Sequence, residues 1–432
     1  MKIAKISGDI PLIGDVKVSG SNDFAASLIF ASLFFSEPVL LENVPETTYI
    51  KRCLDMLEVL GVTCSRLSHG RYLINASGLS TFEVPFNEGR AIHVMLYIAG
   101  PLLYRFGKAI IPKPHNLSKK KIEAYIHMWE QFGIEVFEDD RFVVLRSGEL
   151  KPATIKVQDK DYVFTVSTIL CSVFISGESF IFGPSQRYEV ADILDFLNRQ
   201  ESKLTIDEAS NLKIIGSPLF RGANYIVQPS TTEAVFFSTA SILTRGNITI
   251  KNLVREPFLA YLNILSKMGV GFEFSKSDLK VWSAGEKVYS TIDIATSPAP
   301  GFINAWHGYL LPMFSMIEGK SSILLNNFDC TFEYLIELKR LGINIQITDS
   351  KSDLDINTNQ TKLEVVGKSA RIGTKVTLPD VYSAGFILCT SLGASGTTEL
   401  YGIDKIEFKY DTIFSKLASL GAEIEIEDIN DN

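Results

Sequence analysis

Three stretches of this chain hold side chains able to do chemistry. Pro112-Lys113-Pro114-His115-Asn116-Leu117-Ser118-Lys119-Lys120-Lys121 carries four lysines and no carboxylate, then enters a helical pattern over Ile122 to Phe132. Cations in a first helical turn oppose the helix dipole, so the arrangement costs stability unless an anion sits there. The corresponding turns elsewhere hold acids: Glu46, Glu189, Glu256, Asp329 and Asp404. Anion binding by Lys113 and Lys120 is the favoured reading, and a solvated lysine cluster is the alternative. Ser19-Gly20-Ser21-Asn22-Asp23 opens an apolar helix. Ser, Asn and Asp cap helix starts, and Gly20 lets a ligand approach the backbone, though a plain cap accounts for the stretch as well. In Ser297-Pro298-Ala299-Pro300-Gly301-Phe302-Ile303-Asn304-Ala305-Trp306-His307, two prolines and a glycine fix a loop that Asn304 can cap. His307, on the buried helix that follows, is either a satisfied core histidine or a base.

The elements that must position these stretches repeat along the chain. Leu57-Glu58-Val59-Leu60-Gly61-Val62, Gln131-Phe132-Gly133-Ile134, Lys267-Met268-Gly269-Val270, Lys339-Arg340-Leu341-Gly342-Ile343 and Leu417 to Ile426 each end a helix at a glycine and start a strand. A degenerate copy passes from Phe196-Leu197-Asn198 to Lys203-Leu204-Thr205-Ile206 with no glycine at the turn. The spacing of about 70 residues is too long for a solenoid repeat and long enough for a small βαβ-containing unit. Before each junction lies a far more apolar helix: Ala25 to Phe35, His93 to Leu103, Val163 to Ile175, Ala234 to Leu243, Trp306 to Ile317 and Ala384 to Leu392. Their thin polar faces make them central helices. Six copies of an α/β repeat, each with one buried and one surface helix, follow.

Copies one to three occupy residues 21–228 and include the basic loop 112–121. Copies four to six occupy 229–432, and residues 1–20 supply two strands, around Ala4-Lys5-Ile6 and Asp15-Val16-Lys17-Val18, that complete this second lobe. The chain then crosses twice, at about Gly20 and Pro229, which predicts a hinge with a cleft between lobes.

Composition narrows the function. Hydrophobic residues make up 46% of 432 and charged residues 21%, an ordinary globular balance. A net charge of -8 argues against a nucleic-acid surface. Apolar runs are too short to span a membrane, and Met1-Lys2-Ile3-Ala4-Lys5 leads straight into a strand pattern with no signal peptide visible. Cys53, Cys64, Cys171, Cys330 and Cys389 are scattered without a CxxC pair. Small core residues in a reducing cytoplasm, with no metal and no cofactor, are expected.

Six repeats in two lobes, with Val18-Ser19-Gly20-Ser21 before an apolar helix, resemble the enolpyruvyl transferases, and the nucleotide-sugar branch more than the shikimate branch. Glu37-Pro38-Val39-Leu40-Leu41-Glu42-Asn43-Val44-Pro45, Gly100-Pro101-Leu102-Leu103-Tyr104-Arg105-Phe106-Gly107 and Ile403-Asp404 carry the resemblance, which covers nearly the whole chain. It implies a two-lobed inverse α/β barrel with parallel helices inside each lobe. It also implies closure over phosphoenolpyruvate and an acceptor hydroxyl, with phosphate expelled from a tetrahedral intermediate.

Such chemistry needs Arg and Lys for a carboxylate and a phosphate, an acid for the vinyl carbon, and a base for the acceptor. Set against the family, this chain departs at those positions. The family lysine after Ser-Gly falls on Asn22 and the following asparagine on Asp23. An arginine falls on His93, with Arg90 one turn away as a substitute. The loop cysteine falls on His115, a nearby arginine on Lys120, the aspartate after the proline-rich loop on Ala305, and further arginines on Thr331, Tyr382 and Lys405. At the acceptor site Lys160 and Val163 are kept, while Tyr125, Tyr162 and Phe164 are bulkier or different.

The candidate acids and bases are therefore His115, at the position of the loop cysteine, with Asp23 and His307, neither of which sits at the position the resemblance implies. Asn22, Arg90, His93, Lys113, Lys120, Tyr125, Lys160, Asn304 and Lys405 are the candidate substrate contacts. Two functions follow. The first is a divergent enolpyruvyl transferase acting on phosphoenolpyruvate and an unidentified hydroxyl acceptor, a nucleotide or sugar being one candidate. The second is a silent relative that binds a small anion as a regulator or as partner to an intact paralogue. A bare interaction scaffold leaves the lysine loop unexplained.

Overall fold

A computed structural model describes residues 2–89, 93–115, 117–200, 203–218, 220–283, 289–326, 332–349 and 360–428, the side chains of 88, 93 and 349 aside. The chain divides into two compact units, Gly20–Gln228 and Met1–Ser19 with Pro229–Asn432. Each is built from three small sheets around three apolar helices.

One rule generates every sheet. A leading strand runs parallel to the strand that follows the buried helix, and two antiparallel strands complete the sheet, supplied by a hairpin after the surface helix in all but the last. In Gly20–Gln228 the first sheet is ordered Ala223–Ile226, Val39–Glu42, Arg71–Asn75, Thr63–Ser68. The third is ordered Thr154–Lys156, Gly177–Phe182, Leu212–Gly216, Lys203–Ile206. The second has Lys108–Pro112, Phe142–Ser147 and Ile134–Glu138, and the leading strand shrinks to a parallel bridge from Glu83 to Ile110.

The other unit repeats the scheme and closes on itself through the N-terminus. Ile13–Lys17 leads the sheet of Asn247–Lys251, Asp278–Trp282 and Gly271–Ser275. Asp293–Ala295 leads Lys320–Asn326, Gln360–Val366 and Asn344–Asp349. In the last sheet Lys2–Ser7 fills the slot between Thr397–Tyr401 and Glu423–Asp428, with Lys375–Thr377 leading. The α/β class with six repeats is therefore the observed architecture.

Helices lie inside and sheets outside, the inverse of an ordinary α/β barrel. Thr231–Leu243, His307–Phe314 and Ala384–Leu392 pack on one another, and nearly every residue of each is buried. In their unit Asn22–Ala31 and Tyr162–Ser172 both pack on the composite helix His93–Ile98 plus Ala99–Phe106, which is buried over Val94 to Leu103. Each buried Phe, Leu or Ile of these helices contributes about 1.5–3 kcal/mol. The second and fifth central helices begin as 3₁₀ turns, His93–Ile98 and Asn304–Trp306, rather than as the α-helix that their apolar periodicity predicts.

The surface helices end as read. Gly61, Gly133, Gly269, Gly342 and Gly421 have φ between 77° and 96°, the left-handed geometry of a helix stop. In the copy without a glycine, Asn198 does the work with its side chain. Its amide nitrogen donates to the Leu204 carbonyl at 2.8 Å, and the Leu204 N–H donates to its amide oxygen at 2.7 Å. The basic helix is Lys119–Gln131, starting three residues earlier than the pattern suggests, because the Ser118 hydroxyl accepts from the Lys121 N–H at 3.3 Å.

The first crossing differs from its reading. A side-chain carbon at Gly20 would lie 2.1 Å from the Asn43 carbonyl oxygen, so the close approach that demands glycine is by the chain's own backbone. Ser21 precedes the helix without capping it, and its hydroxyl turns instead to Glu189 at 3.4 Å. Ser21 N–H donates to Gln228, and Ser230 N–H donates to Ser19, both at 2.8 Å.

Close helix packing yields a test. A Cβ at Gly100 would sit 2.2 Å from the Leu170 carbonyl oxygen of the neighbouring buried helix. Backbone cannot swing aside, so Gly100→Ala is expected to cost roughly 1–3 kcal/mol. Urea unfolding should show this as a lower midpoint at unchanged slope; an unaltered midpoint would mean that the two helices can separate freely.

Candidate active site

In Gly20–Gln228 the lysine-rich segment does not stand alone. Lys113 Nζ lies 2.6 Å from Glu138, Lys119 lies 3.9 Å from Glu123, and Lys121 lies 3.9 Å from Asp161. The segment lacks carboxylates in sequence, but the fold brings three to it, which reduces the unmet charge expected there. Lys120 is exposed and has no ion pair or hydrogen bond among the described residues. His115 is exposed in the turn that leads to this helix. Lys160 is half-buried in a left-handed turn, with φ 51° at both Asp159 and Lys160, and its ammonium also has no partner among the described residues. That turn delivers Asp161, whose carboxylate caps the next helix by accepting from Phe164 N–H at 3.0 Å.

Asp23 is engaged by a residue that the sequence reading passed over. Arg187 Nη2 donates to Asp23 at 2.9 Å and to Glu189 at 2.6 Å, and its Nε donates to Glu189 at 3.2 Å. Its guanidinium lies 4.2 Å from the centre of the Tyr162 ring. Burial alone would weaken its charge, but the carboxylates of Glu189 and Asp23 outweigh that and hold it firmly cationic. With one oxygen committed to a guanidinium, Asp23 is not the unencumbered base that its position suggests. Asn22 accepts from the Thr47 hydroxyl at 2.7 Å. The available sequence signal for Arg187 was an arginine directly before a helix whose first turn holds Glu189.

Tyr125 is corrected outright as a substrate contact. It is 4% exposed and packs between Phe164, at 5.0 Å, and Trp129, at 5.8 Å. Its i,i+4 spacing to Trp129 is that of a core residue. Arg90 lies outside the described residues, as does the side chain of His93.

In the unit of Met1–Ser19 and Pro229–Asn432, His307 is also corrected as a base. It is 1% exposed, with Nδ1 2.6 Å from the Asn304 carbonyl and Nε2 2.5 Å from the Tyr334 hydroxyl. A carbonyl only accepts, so the proton sits on Nδ1, and the Tyr334 hydroxyl donates to the remaining lone pair. Burial holds its pKa down at about 4. Asn304 donates from its amide nitrogen to Asn326 at 2.9 Å, and its amide oxygen is buried with no hydrogen-bond partner among the described residues. Lys405 Nζ donates to the Leu378 carbonyl at 2.6 Å, and Tyr382 is exposed. Thr331, Asp329 and Cys330 lie outside the described residues.

A second ion cluster in this unit was not foreseen. Lys416 Nζ lies 2.6 Å from the buried Glu233 and donates to the Ser19 hydroxyl at 2.7 Å, while Ser19 donates to Asp411 at 3.0 Å and, through its N–H, to Glu233 at 3.1 Å. Among the described residues Cys53, Cys64, Cys171 and Cys389 are free thiols. Burial pushes Cys64 and Cys171 up to about 12, which makes them inert as nucleophiles.

Residues 6–353 match the family model for EPSP synthase (3-phosphoshikimate 1-carboxyvinyltransferase). The chain belongs to this family of enolpyruvyl transferases. Among its members, a UDP-N-acetylglucosamine 1-carboxyvinyltransferase 1 of Legionella pneumophila is 28% identical over 98% of this chain and 82% of its own. One from Finegoldia magna is 25% identical over 100% of both. The structure of the enolpyruvyl transferase NikO from Streptomyces tendae superposes with a TM-score of 0.87 at 20% identity, covering 99% of each chain. An EPSP synthase from Acinetobacter baumannii gives 0.75 at 15% identity, over 99% of this chain and 100% of its own. The enolpyruvyl transferase fold is thus shared from end to end. Among the described residues no helix is long and apolar enough to cross a membrane, and no group of His, Cys, Asp and Glu could hold a metal ion.

His307 makes its correction testable through pH. Its folded pKa of about 4 lies below the ordinary 6.5, so below pH 6.5 the unfolded chain binds a proton that the folded chain refuses. Stability is therefore lost as pH falls from 6.5 toward 4, by roughly 3 kcal/mol from this residue alone. His307→Gln should flatten that part of a stability-against-pH profile; an unchanged slope would mean that the imidazole takes up its proton equally in the folded and unfolded chains.

Proposed function

We propose that this enolpyruvyl transferase family member moves the carboxyvinyl group of phosphoenolpyruvate to the hydroxyl of a nucleotide- or sugar-type acceptor. The observation that carries the reading is the start of the Lys119–Gln131 helix. Lys120 stands there exposed and uncommitted among the described residues, after an exposed His115, while the neighbouring lysines already have carboxylates. A cation without a protein counter-charge at a helix start suits a phosphate or carboxylate. The end-to-end likeness to UDP-N-acetylglucosamine 1-carboxyvinyltransferases supports the substrate class.

The chemistry asks for three proton events. The acceptor hydroxyl loses its proton as its oxygen bonds to C2 of phosphoenolpyruvate, and C3 gains a proton to give the tetrahedral adduct. C3 then gives a proton back as the C2–O bond breaks and phosphate leaves. In this reading His115 handles the proton at C3, and Lys120, with Lys160 across the Asp161 turn, neutralises ligand charge.

A second reading, a catalytically silent anion binder, has its own support. Asn22 has no charge, Ala305 has no proton to trade, His307 is locked in the core and Asp23 is tied to Arg187. Losing an acid or base costs roughly 10²–10⁴-fold each, so two vacancies leave little rate unless His115 compensates.

Phosphate release from phosphoenolpyruvate, followed against a panel of hydroxyl acceptors that includes UDP-N-acetylglucosamine, separates the two. Transfer predicts release with at least one acceptor, a fall of about 10²-fold or more in kcat for His115→Ala, and mainly a raised KM for Lys120→Ala. No release with any acceptor, together with a higher melting temperature in phosphoenolpyruvate, would leave the binder.

A further inference from the structure

Four helices of the Gly20–Gln228 unit begin within one chain of contacts. Arg187, directly before the helix Tyr188–Asn198, reaches Asp23 in the first turn of Asn22–Ala31 and lies over Tyr162, the first residue of Tyr162–Ser172. Asp161, which caps that helix, lies 3.9 Å from Lys121 in the first turn of Lys119–Gln131. Each helix start carries partial positive charge.

Arg187 is held rather than spent. Glu189 grips Nε and Nη2 side-on, Asp23 takes the remaining direction of Nη2, and the Tyr162 ring supports the flat face. No described residue bonds Nη1, whose two N–H groups complete the five donors of a guanidinium. The side chain is 27% exposed, so Arg187 is not sealed into the core. Beside the same cluster lies Tyr97, wholly buried, whose hydroxyl has no hydrogen-bond partner among the described residues. Burial and then the neighbouring Tyr162, Tyr49 and Asp23 raise its pKa, so it stays a neutral donor. A buried, unpaired hydroxyl costs about 1–3 kcal/mol, and a polar guest or bridging water would relieve it.

We infer that Arg187 is a further ligand-binding residue, its Nη1 edge taking a phosphate or carboxylate oxygen of the same anionic substrate that Lys120 and Lys160 meet. The assignment rests on the proposed anion-binding function and adds to it a pre-oriented charge from the third repeat. It also accounts for a guanidinium beside residue 22, where the chain carries an uncharged Asn. A guanidinium fixed before the ligand arrives loses little side-chain freedom on binding, unlike the exposed Lys120.

Calorimetric titration of the full chain with phosphoenolpyruvate, UDP-N-acetylglucosamine and inorganic phosphate tests this. Arg187→Met should weaken at least tenfold the binding of whichever probe the wild type holds, and Arg187→Lys should restore part of it. A loss confined to phosphoenolpyruvate would put Nη1 on the small monoester, and one confined to the nucleotide sugar on the diphosphate. Should Arg187→Met fold poorly, the wild type serves: the side-chain N–H resonances of Arg187 should shift, and their solvent exchange slow, as the probe saturates. Wild-type binding with Arg187→Met at full affinity, or with those resonances unmoved, overturns the role of Arg187 alone. A wild type with no affinity for any probe overturns both this role and the function beneath it.

Discussion

Everything in this fold follows from helices that have no polar side. Thr231–Leu243 is buried along its whole length, and Asn22–Ala31 and Tyr162–Ser172 are nearly so. A four-stranded sheet covers one face of such a helix and leaves the rest in water, so a single repeat is not stable by itself. Three repeats together close the shell. The same constraint decides where polar chemistry can sit. An apolar helix inside a shell of sheets meets charge only at its ends, and the starts attract anions. Asp23, Asp161, Glu189, Glu233 and Lys119 to Lys121 all lie at or beside helix starts.

The two units answer this constraint in parallel. In one, Ser21 donates to Glu189, which shares Arg187 with Asp23 in the first turn of the first central helix. In the other, Ser19 meets Asp411, Lys416 and Glu233, the last in the first turn of the corresponding helix. Each cation comes from the third repeat of its own unit. The clusters differ in exposure. Lys416 and Glu233 are 17% and 4% exposed, while Arg187 and Asp23 are 27% and 39% exposed. A pair as buried as Lys416 and Glu233 offers a ligand no open edge, and removing one partner would strand a charge at a cost of about 3–5 kcal/mol. The half-open pair keeps part of its surface in solvent.

The repeats were legible because their signals are local. A glycine at a helix stop and an apolar stripe report on a few neighbouring residues, so Gly61, Gly133, Gly269, Gly342 and Gly421 could be read one at a time. Asn198 broke the pattern since its side chain, rather than its backbone, closes the turn. Site electrostatics were less legible because they depend on partners far along the chain. The carboxylate of Lys113 is 25 positions away, that of Lys121 is 40 away, and Arg187 reaches Asp23 across a separation of 164. A residue's type predicted neither Ser21, which declines to cap, nor Gly20, which yields to Asn43. His307 shows the reverse error: a residue type suited to catalysis, at a loop-to-helix junction, whose lone pair and proton are both taken by its own core.

Charge placement also bears on how such a site diverges. An ammonium on residue 22 would extend from the helix start itself, whereas the guanidinium that reaches this neighbourhood comes from residue 187 and needs Glu189 and Asp23 to hold it. A guanidinium there supplies positive charge but, unlike an ammonium, does not give up its proton. Arg187 can therefore bind and orient an anion and cannot act as an acid. His115, exposed in the turn that leads into Lys119–Gln131, is by contrast an imidazole, a side chain of the type that can carry a proton where a guanidinium cannot. The proposed anion contact and the proposed proton carrier thus belong to different repeats, the third and the second.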